Sequence, residues 1–300
     1  MNIIKYNKIW LTLSGIAVIL SLALFFFWKL NLGIDFTGGS LMEIEFGENR
    51  PQSPAVSALL LESGLLKSIN AQLTGDNGMI LRFETITEET HQQILNKLNE
   101  TYNDLVTEIK YDSIGPIIGK ELQTKTVWAI IISLAGMIIY IAVAFIKVSK
   151  PVPSWQYGVI SMITLFHNII ITIGIFSILG HFYQVEVNAA FIAALLTILG
   201  YSINDTIVIF DRIRENLKRY YEGDFESIVK KSINESLTRS LYTGFATLLT
   251  LFSILLFGGE TIRDFVLALI IGIVIGTYAS IFLASPLLVI FQKIFKEKEG

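Results

Sequence analysis

Asp205 is the side chain whose setting in this sequence most strongly suggests chemistry. It lies in Gly200-Tyr-Ser-Ile-Asn-Asp-Thr-Ile-Val, inside a long apolar stretch. A carboxylate in a membrane interior costs about 3 kcal/mol on insertion scales, so it persists where it faces a partner or a water-filled cavity. It either takes up and releases a proton or is held in a static interhelical bond. The polar neighbours Ser202, Asn204 and Thr206 favour proton exchange.

Arg239, at the start of the fifth apolar stretch, is the natural countercharge for Asp205. If the two side chains meet, protonation of the acid would make or break their pairing. The alternative is an ordinary basic residue that extends its side chain to the membrane surface. The two interpretations remain open at this point.

His167-Asn168 lies at the centre of the third apolar stretch. Because histidine titrates near neutral pH, a proton relay through His167 is one interpretation. A polar pair that forms hydrogen bonds between helices, worth about 0.6 kcal/mol each, is the commoner explanation.

Two glycine-rich patterns invite functional assignment. Gly33-Ile-Asp-Phe-Thr-Gly-Gly lacks the spacing and the lysine of a Walker motif, so we expect a hinge after the first stretch. Small residues at four-residue steps on the last stretch predict close helix packing with no chemistry attached. These small residues are Gly272, Gly276, Ser280 and Ala284.

Covalent catalysis has no support in this sequence. It contains no cysteine, which excludes disulfides, thiolate metal sites and cysteine nucleophiles. It also contains no zinc-ligand spacing, nucleotide fingerprint or nucleophile elbow. We therefore expect no enzyme activity, no metal and no cofactor.

Six apolar stretches must position the candidate residues. Hydrophobic residues make up 52% of the 300-residue chain and charged residues 16%, against about 25% charged in a typical soluble domain. A bilayer-spanning helix needs about 20 apolar residues. Asp205 is the one charged side chain in the six stretches, and the first of them is expected to be a retained anchor. The stretches are Ile9–Trp28, Thr126–Ile146, Trp155–Leu179, Val187–Phe210, Ser240–Phe257 and Phe265–Phe291.

Basic residues in the short loops predict the orientation of the chain. One side carries 14 lysines and arginines, whereas the opposite short loops carry Arg263 alone. Because cytoplasmic loops are rich in lysine and arginine, both termini are expected in the cytoplasm and residues 30–125 outside. The basic residues are Lys5, Lys8, Lys147, Lys150, Arg212, Arg214, Lys218, Arg219, Lys230, Lys231, Arg239, Lys293, Lys296 and Lys298.

These patterns predict a polytopic α-helical membrane protein with a small α+β domain between its first two helices. Residues 1–29 are the N-terminus and first helix, 30–125 the outer domain, 126–292 a five-helix region and 293–300 a cytoplasmic tail. The outer domain is expected to be a βαββαβ ferredoxin-like sandwich. Its strands are Ser40–Phe46, Ile69–Leu73, Met79–Glu84 and Val106–Ser113, and its helices are Ser53–Ser63 and Thr87–Tyr102, the latter capped by Thr87.

The cytoplasmic loop 211–239 mixes charges of both signs on a helical period. It is either an amphipathic segment at the membrane surface, with a break at Gly223-Asp224, or a solvated connection.

Several segments closely resemble, in order, the motifs of the SecF proteins of the SecD/SecF family. The resemblance covers nearly the whole chain. The segments are Gly33-Ile-Asp-Phe-Thr-Gly-Gly-Ser-Leu-Met-Glu-Ile44, Gly115-Pro-Ile-Ile-Gly-Lys-Glu-Leu122, Gly200-Tyr-Ser-Ile-Asn-Asp205, Asp211-Arg-Ile-Arg-Glu-Asn216, Phe257-Gly-Gly259 and Ser280-Ile-Phe-Leu-Ala-Ser-Pro286.

The resemblance implies a bacterial inner-membrane subunit that pairs with SecD and associates with the SecYEG translocon, with YajC as a further candidate partner. It implies use of the proton motive force, or of Na⁺ in some relatives, to help draw exported polypeptides across the membrane. It also implies kinship with the RND superfamily, whose transmembrane unit has two six-helix halves. This chain would supply one half.

The resemblance also assigns roles to residues. Asp205 matches the membrane acid of the ion path, with Asn204 beside it, and Arg239 matches the functionally important arginine of the fifth span. Where many members have a His-Asp pair, this chain has His167-Asn168, which weakens a relay role there. A family signature without an assigned role is carried by Gly33, Asp35, Gly38 and Gly39.

Two other function classes are weighed against this one. An RND-like exporter of a small molecule or lipid usually carries both helical halves on one chain, whereas this sequence contains one. A non-transporting scaffold of the translocon would tolerate replacement of both Asp205 and Arg239.

Overall fold

The computed structural model describes residues 3–47, 50–103, 106–145, 152–219 and 224–296. Lys147, Lys150, Gly223 and Lys298, which entered the charge and loop predictions, lie outside the described residues. The chain forms two compact units. Leu32–Val127 is named the outer unit after the side predicted for it, and Met1–Asn31 with Trp128–Gly300 is named the membrane unit.

The predicted strands, the two predicted helices between them and the six spans follow one another in the expected order, and a 3₁₀ turn, the short α2 and a π segment are additional. In chain order they are a 3₁₀ turn (Ile4–Tyr6), α1 (Asn7–Trp28), α2 (Ile34–Thr37), β1 (Gly39–Phe46), α3 (Ser53–Glu62), β2 (Ile69–Thr74), β3 (Gly78–Phe83), α4 (Glu88–Thr101), β4 (Val106–Ile114), α5 (Pro116–Phe145), α6 (Ser154–Tyr183), α7 (Ala189–Arg219), α8 (Phe225–Phe257), α9 (Glu260–Ala279), a π segment (Ser280–Ala284) and α10 (Ser285–Lys296).

The membrane unit confirms the predicted number of spans. Six helices among the described residues are long and apolar enough to cross a bilayer. They are α1, α5, α6, α7, α8 and a last span made of α9, the π segment and α10.

The predicted loop 211–239 consists largely of the ends of two long helices, with a break before Phe225 near the predicted one. No separate surface helix lies between the fourth and fifth spans in the described part of the chain; instead α7 continues to Arg219 and α8 begins at Phe225, directly after Asp224. Both extensions carry buried apolar side chains of the membrane unit's core, such as Ile213 and Val229, and Arg212 pairs with Glu235 between them.

The regular α-helix of the last span is interrupted at Ser280–Ala284, although the apolar sequence pattern continues through these residues. The π segment Ser280–Ala284 ends one residue before Ser285-Pro286. Proline lacks an N–H and its ring clashes with the carbonyl four residues earlier, so a regular helix cannot pass this point unchanged. A π turn absorbs such a misfit, and π turns often occur at functional sites.

The outer unit is a four-stranded antiparallel sheet with the order β2-β3-β1-β4 and two helices, α3 and α4. The predicted cap of α4 is confirmed, since the Thr87 hydroxyl accepts a hydrogen bond from the Thr90 N–H at 3.3 Å. Alternate strand residues and the inner faces of the helices form one apolar core. Its fully buried members include Met42, Ile44, Val56, Leu60, Met79, Leu81, Ile94 and Leu98.

Candidate functional site

Asp205 lies in the middle of α7 and is 7% exposed. Two serines from other elements reach it. The Ser240 hydroxyl, on α8, donates to Oδ1 at 2.5 Å, and the Ser280 hydroxyl, at the start of the π segment, donates to Oδ2. A hydroxyl both donates and accepts, so this environment is compatible with either protonation state of the carboxyl group.

A small cavity borders Asp205 in the membrane unit. Its volume is about 80 Å³, which is room for a few water molecules. Asn204 and Arg239 are both exposed and lie at its wall. The remaining lining residues are Tyr201, Val208, Ser240 and Thr243. The cavity is therefore large enough to hold water beside Asp205.

Arg239 does not pair with Asp205 in this structure. Among the described residues the two oxygens of Asp205 are bonded to Ser240 and Ser280, while Arg239 is on the wall of the same cavity. Consecutive helical residues point about 100° apart, so α8 can direct only one of Arg239 and Ser240 at the carboxylate. The expected pairing is therefore corrected, although both residues belong to one site.

His167 and Asn168 are both buried and form a bridge from α6 to α7. His167 Nδ1 lies 3.0 Å from Asn168 Oδ1, and Asn168 Nδ2 donates to Ser202 Oγ at 2.6 Å. The predicted interhelical hydrogen bond is confirmed. Ser202 precedes Asp205 by about one helical turn, and His167 Nε2 is buried without a hydrogen-bond partner among the described residues. The relay role of His167 remains a prediction.

The small-residue stripe on the last span includes one hydrogen-bond donor to Asp205. A Cβ on Gly272 would lie 2.2 Å from Ile198 Cδ1, and one on Gly276 would lie 3.3 Å from Ser202 Cβ, so both glycines permit close packing on α7. Ser280 continues the stripe but bonds Asp205. The prediction of packing alone is therefore wrong at Ser280, which also donates a hydrogen bond to the candidate acid.

The Gly33–Gly39 motif forms a packed corner and not the expected hinge. α2 is a single turn closed by the Thr37 hydroxyl on the Gly33 carbonyl at 3.1 Å, and it contains Asp35. Gly38 and Gly39 have φ of 73° and 125°. A Cβ on Gly38 would lie 2.9 Å from Pro116 Cα, and one on Gly39 would lie 2.8 Å from the Phe83 carbonyl oxygen. The two glycines thus let β1 start against the beginning of α5.

Two family models match the chain. "Protein export membrane protein SecD/SecF, C-terminal" matches residues 93–294, and "SecD/SecF GG motif" matches residues 23–49. The chain belongs to the SecD/SecF family. The packed corner at Gly38-Gly39 lies in the second matched region, and Asp205 with its two serines lies in the first.

Relatives within the family match over nearly their whole length. The chain is 38% identical to the protein translocase subunit SecF of Thermobaculum terrenum, covering 100% of this chain and 98% of that protein. It is 36% identical to the SecF of Anaerolinea thermophila, covering 97% and 94%. The chain is therefore a multi-pass membrane protein of the SecF type.

Solved structures of SecDF share the fold. SecDF of Thermus thermophilus, described as a translocon-associated membrane protein, superposes with a TM-score of 0.85 at 31% identity and covers 98% of this chain. A SecDF in the super-membrane-facing form gives a TM-score of 0.69 at 31% identity. This chain spans 39% and 40% of the two SecDF chains.

Proposed function

We propose that this chain acts as the SecF subunit of a protein-export complex, which uses an ion gradient to promote late steps of polypeptide translocation across the bacterial inner membrane. Its likeness to SecF subunits over nearly their full length supports this function. Translocation is a transport process, and we propose no covalent catalysis and no cofactor for the chain.

The observation that carries the ion-coupling role is the buried Asp205 beside a cavity, bonded by hydroxyls from two other elements. Taking up a proton from the outer side would neutralise Asp205 and change its bonds to Ser240 and Ser280. The packing of α7 against α8 and the last span would then change, and with it the position of the outer domain.

The available energy limits this mechanism. One charge that crosses 100 mV supplies about 2.3 kcal/mol. A complete switch between two conformations needs about 5.5 kcal/mol. Each translocated polypeptide would therefore require several protons, or a ratchet that traps the polypeptide after each step.

The coupling ion in this proposal is H⁺, with Na⁺ as the alternative. Both oxygens of Asp205 are bonded to hydroxyl groups, which accept a hydrogen bond from the protonated acid as readily as they donate to the ionised one. Asp205, Asn204 and Arg239 are assigned to ion coupling, and His167 with Asn168 to a supporting polar bridge.

A SecD partner is proposed to cover the exposed side of the membrane unit. In the 18-residue apolar stretch of each helix, only 6% of α5 and 17% of α8 is buried within this chain. Asn204 and Arg239 would place polar groups against lipid at the cavity wall, which is costly unless a partner covers them. A second six-helix half would do so, as in an RND-like arrangement. SecYEG and YajC are proposed as further partners.

We propose that both termini are cytoplasmic and that residues 30–125 form a ferredoxin-like domain outside. The loop charges support the orientation. The βαββαβ order and the antiparallel sheet order β2-β3-β1-β4 support the domain assignment. Residues 126–292 then form the five-helix region and 293–300 the tail.

Export into membrane vesicles that contain the whole complex tests this function. Asp205→Asn is expected to reduce proton-driven export at least tenfold while the complex still assembles. Asp211→Asn is the matched control, because Asp211 lies two turns further along α7 and bonds Arg214 at the surface. Undiminished proton-driven export with Asp205→Asn would contradict ion coupling and favour the scaffold. If the chain is purified from its membrane and neither SecD nor SecYEG is recovered with it, the exporter is favoured.

A further inference from the structure

The two serines that bond Asp205 differ in their other contacts. The Ser280 hydroxyl lies 3.0 Å from the carbonyl oxygen of Thr277, which is a second acceptor for its hydrogen. The Ser240 hydroxyl has Asp205 as its hydrogen-bond acceptor within the described part of the chain. Ser240 also lines the cavity, whereas Ser280 is fully buried and does not.

A hydroxyl has one hydrogen, so each serine donates one hydrogen bond at a time. When Asp205 is ionised, both of its oxygens accept and both serines donate to it. When Asp205 is protonated, its own O–H must donate, and the serine that it meets must turn its hydrogen elsewhere. Ser280 can do this without losing a bond, because Thr277 offers the alternative acceptor.

We propose that the proton taken up by Asp205 is held between Oδ2 and Ser280, and that Ser280 is a positioning residue whose hydroxyl turns between Asp205 and the Thr277 carbonyl. This inference rests on the proposed function and deepens it, since it assigns the proton to one oxygen. Ser240 then donates to Oδ1 in both protonation states.

The place of Ser280 in the helix connects this exchange to the last span. Ser280 is the first residue of the π segment, and its carbonyl oxygen accepts a hydrogen bond from the Ser285 hydroxyl at 3.3 Å. The irregular turn thus holds Ser280 at its carbonyl, while its hydroxyl faces both Asp205 and the Thr277 carbonyl. A regular helix through Pro286 would not present Ser280 in the same way.

Other titratable groups in this region come from α7 itself and from three elements packed against it. Tyr201 on α7 and Arg239 on α8 line the cavity. His167 on α6 connects to α7 through Asn168 and Ser202. On α9, Tyr278 bonds Ser14 and the Trp10 carbonyl of α1. All four are kept unchanged in the test.

The test compares Ser280→Ala with Ser240→Ala in vesicles that contain the whole complex. Export is measured against outer pH at fixed membrane potential. Each substitution removes one hydroxyl, so the two variants are matched in size and in charge.

The two variants are expected to behave differently. Ser240→Ala removes a donor that favours the ionised acid. The outer pH at which export is half-maximal therefore moves up by about one unit, and the maximal export rate is retained. Ser280→Ala also removes the acceptor of the protonated acid. Its half-maximal point therefore stays near that of the unsubstituted chain, and its maximal rate falls about tenfold.

Equal shifts in the two variants, or an unchanged rate with Ser280→Ala, would overturn this assignment. If Ser280→Ala fails to assemble, Ser280→Cys keeps the volume with a much weaker donor and acceptor, and the same comparison applies. Wild-type export with Asp205→Asn would instead refute the proposed function. If Asp205→Asn loses export but the two serine variants have the same pH profile and maximal rate, only the role of Ser280 is refuted.

Discussion

The outer unit and the membrane unit each bury a titratable side chain, but the partners are of opposite kinds. In the outer unit, His91 is 5% exposed and lies between two carboxylates, with Nδ1 3.1 Å from Glu88 and Nε2 2.6 Å from Glu108. Its ring also stacks on Tyr111 at 3.9 Å. In the membrane unit, Asp205 bonds two neutral hydroxyls beside a cavity.

This difference distinguishes a structural cluster from one able to exchange a proton. Two carboxylates at the two ring nitrogens and the stacked ring of Tyr111 hold the His91 ring in one position. The hydroxyls at Asp205 can both donate and accept, so they can turn when its protonation changes. We therefore expect His91 to stabilise the outer unit, and we expect Asp205 to change its protonation state during export.

The two units also differ in the size of the side chains that pack against one another inside them. The outer unit has a core of large apolar side chains, including Met42, Leu60 and Leu81. The membrane unit uses close contacts of small residues, such as Gly272 on Ile198 and Gly174 on Ser21. Lipid tails are as apolar as leucine, so close packing replaces the hydrophobic effect as the main attraction between membrane helices.

Gly174→Ala is expected to have the largest effect on stability. The added Cβ would lie 2.4 Å from Ser21 Cβ and 2.6 Å from Ser21 Cα, so α1 and α6 would be forced apart. Overpacking of this kind costs about 1–3 kcal/mol. Gly158→Ala is the control on the same helix, because nothing lies within 4 Å of its Cβ. Thermal unfolding in detergent that is equal for the two variants would contradict small-residue packing.

His91→Gln is expected to destabilise the outer unit by about 1.5 kcal/mol, because it disturbs bonds to two carboxylates and removes the stack on Tyr111. Hydrogen exchange of α4 and β4 in the full chain measures this loss, with the exposed Gln93→Ala as control. The pH dependence of export should not move. A shifted pH profile would show that His91 takes part in ion coupling and would remove the contrast with Asp205.

Glu84→Gln is expected to have the smallest effect. Burial pulls the pKa of Glu84 upward, but the N–H groups of Lys67 and Ser68, at 2.7 and 3.3 Å, outweigh it and hold the pKa below its ordinary value. The ionised group therefore stabilises the fold above the unfolded pKa, and this contribution is lost as the pH falls through the folded pKa.

The expected loss at neutral pH with Glu84→Gln is roughly 0.5 kcal/mol, because solvent still screens this half-buried carboxylate. Thermal unfolding at pH 7 and at acidic pH measures it, with the exposed Glu62→Gln in α3 as control. If the variant loses as much stability on acidification as the unsubstituted chain, Glu84 is not the source of the acid sensitivity.

Sequence patterns were sufficient for the elements and for the central acid. A bilayer requires long uncharged helices, so the spans are visible in composition, and Asp205 is conspicuous as the exception. Strand alternation and the Thr87 cap likewise located the elements of the outer unit.

What the sequence did not reveal depends on side-chain direction and on local irregularity. Nothing in the pattern decides whether Arg239 or Ser240 points at Asp205, because the two differ by one residue on one helix. Ser280 was visible as a member of a small-residue stripe, but its role depends on the π segment before Pro286. The charged ends of α7 and α8 also bury apolar side chains such as Ile213 and Val229, and their contacts join residues far apart in sequence, as in the Arg212–Glu235 pair.

Proton flow during export tests the central claim most directly. Vesicles that contain the whole complex and a pH-sensitive dye would report proton movement as polypeptide is translocated at fixed potential in Na⁺-free buffer. The account predicts proton flow that accompanies export in the unsubstituted chain and its loss, together with ion-driven export, in Asp205→Asn. Proton flow and export at the unsubstituted rate in Asp205→Asn would contradict it.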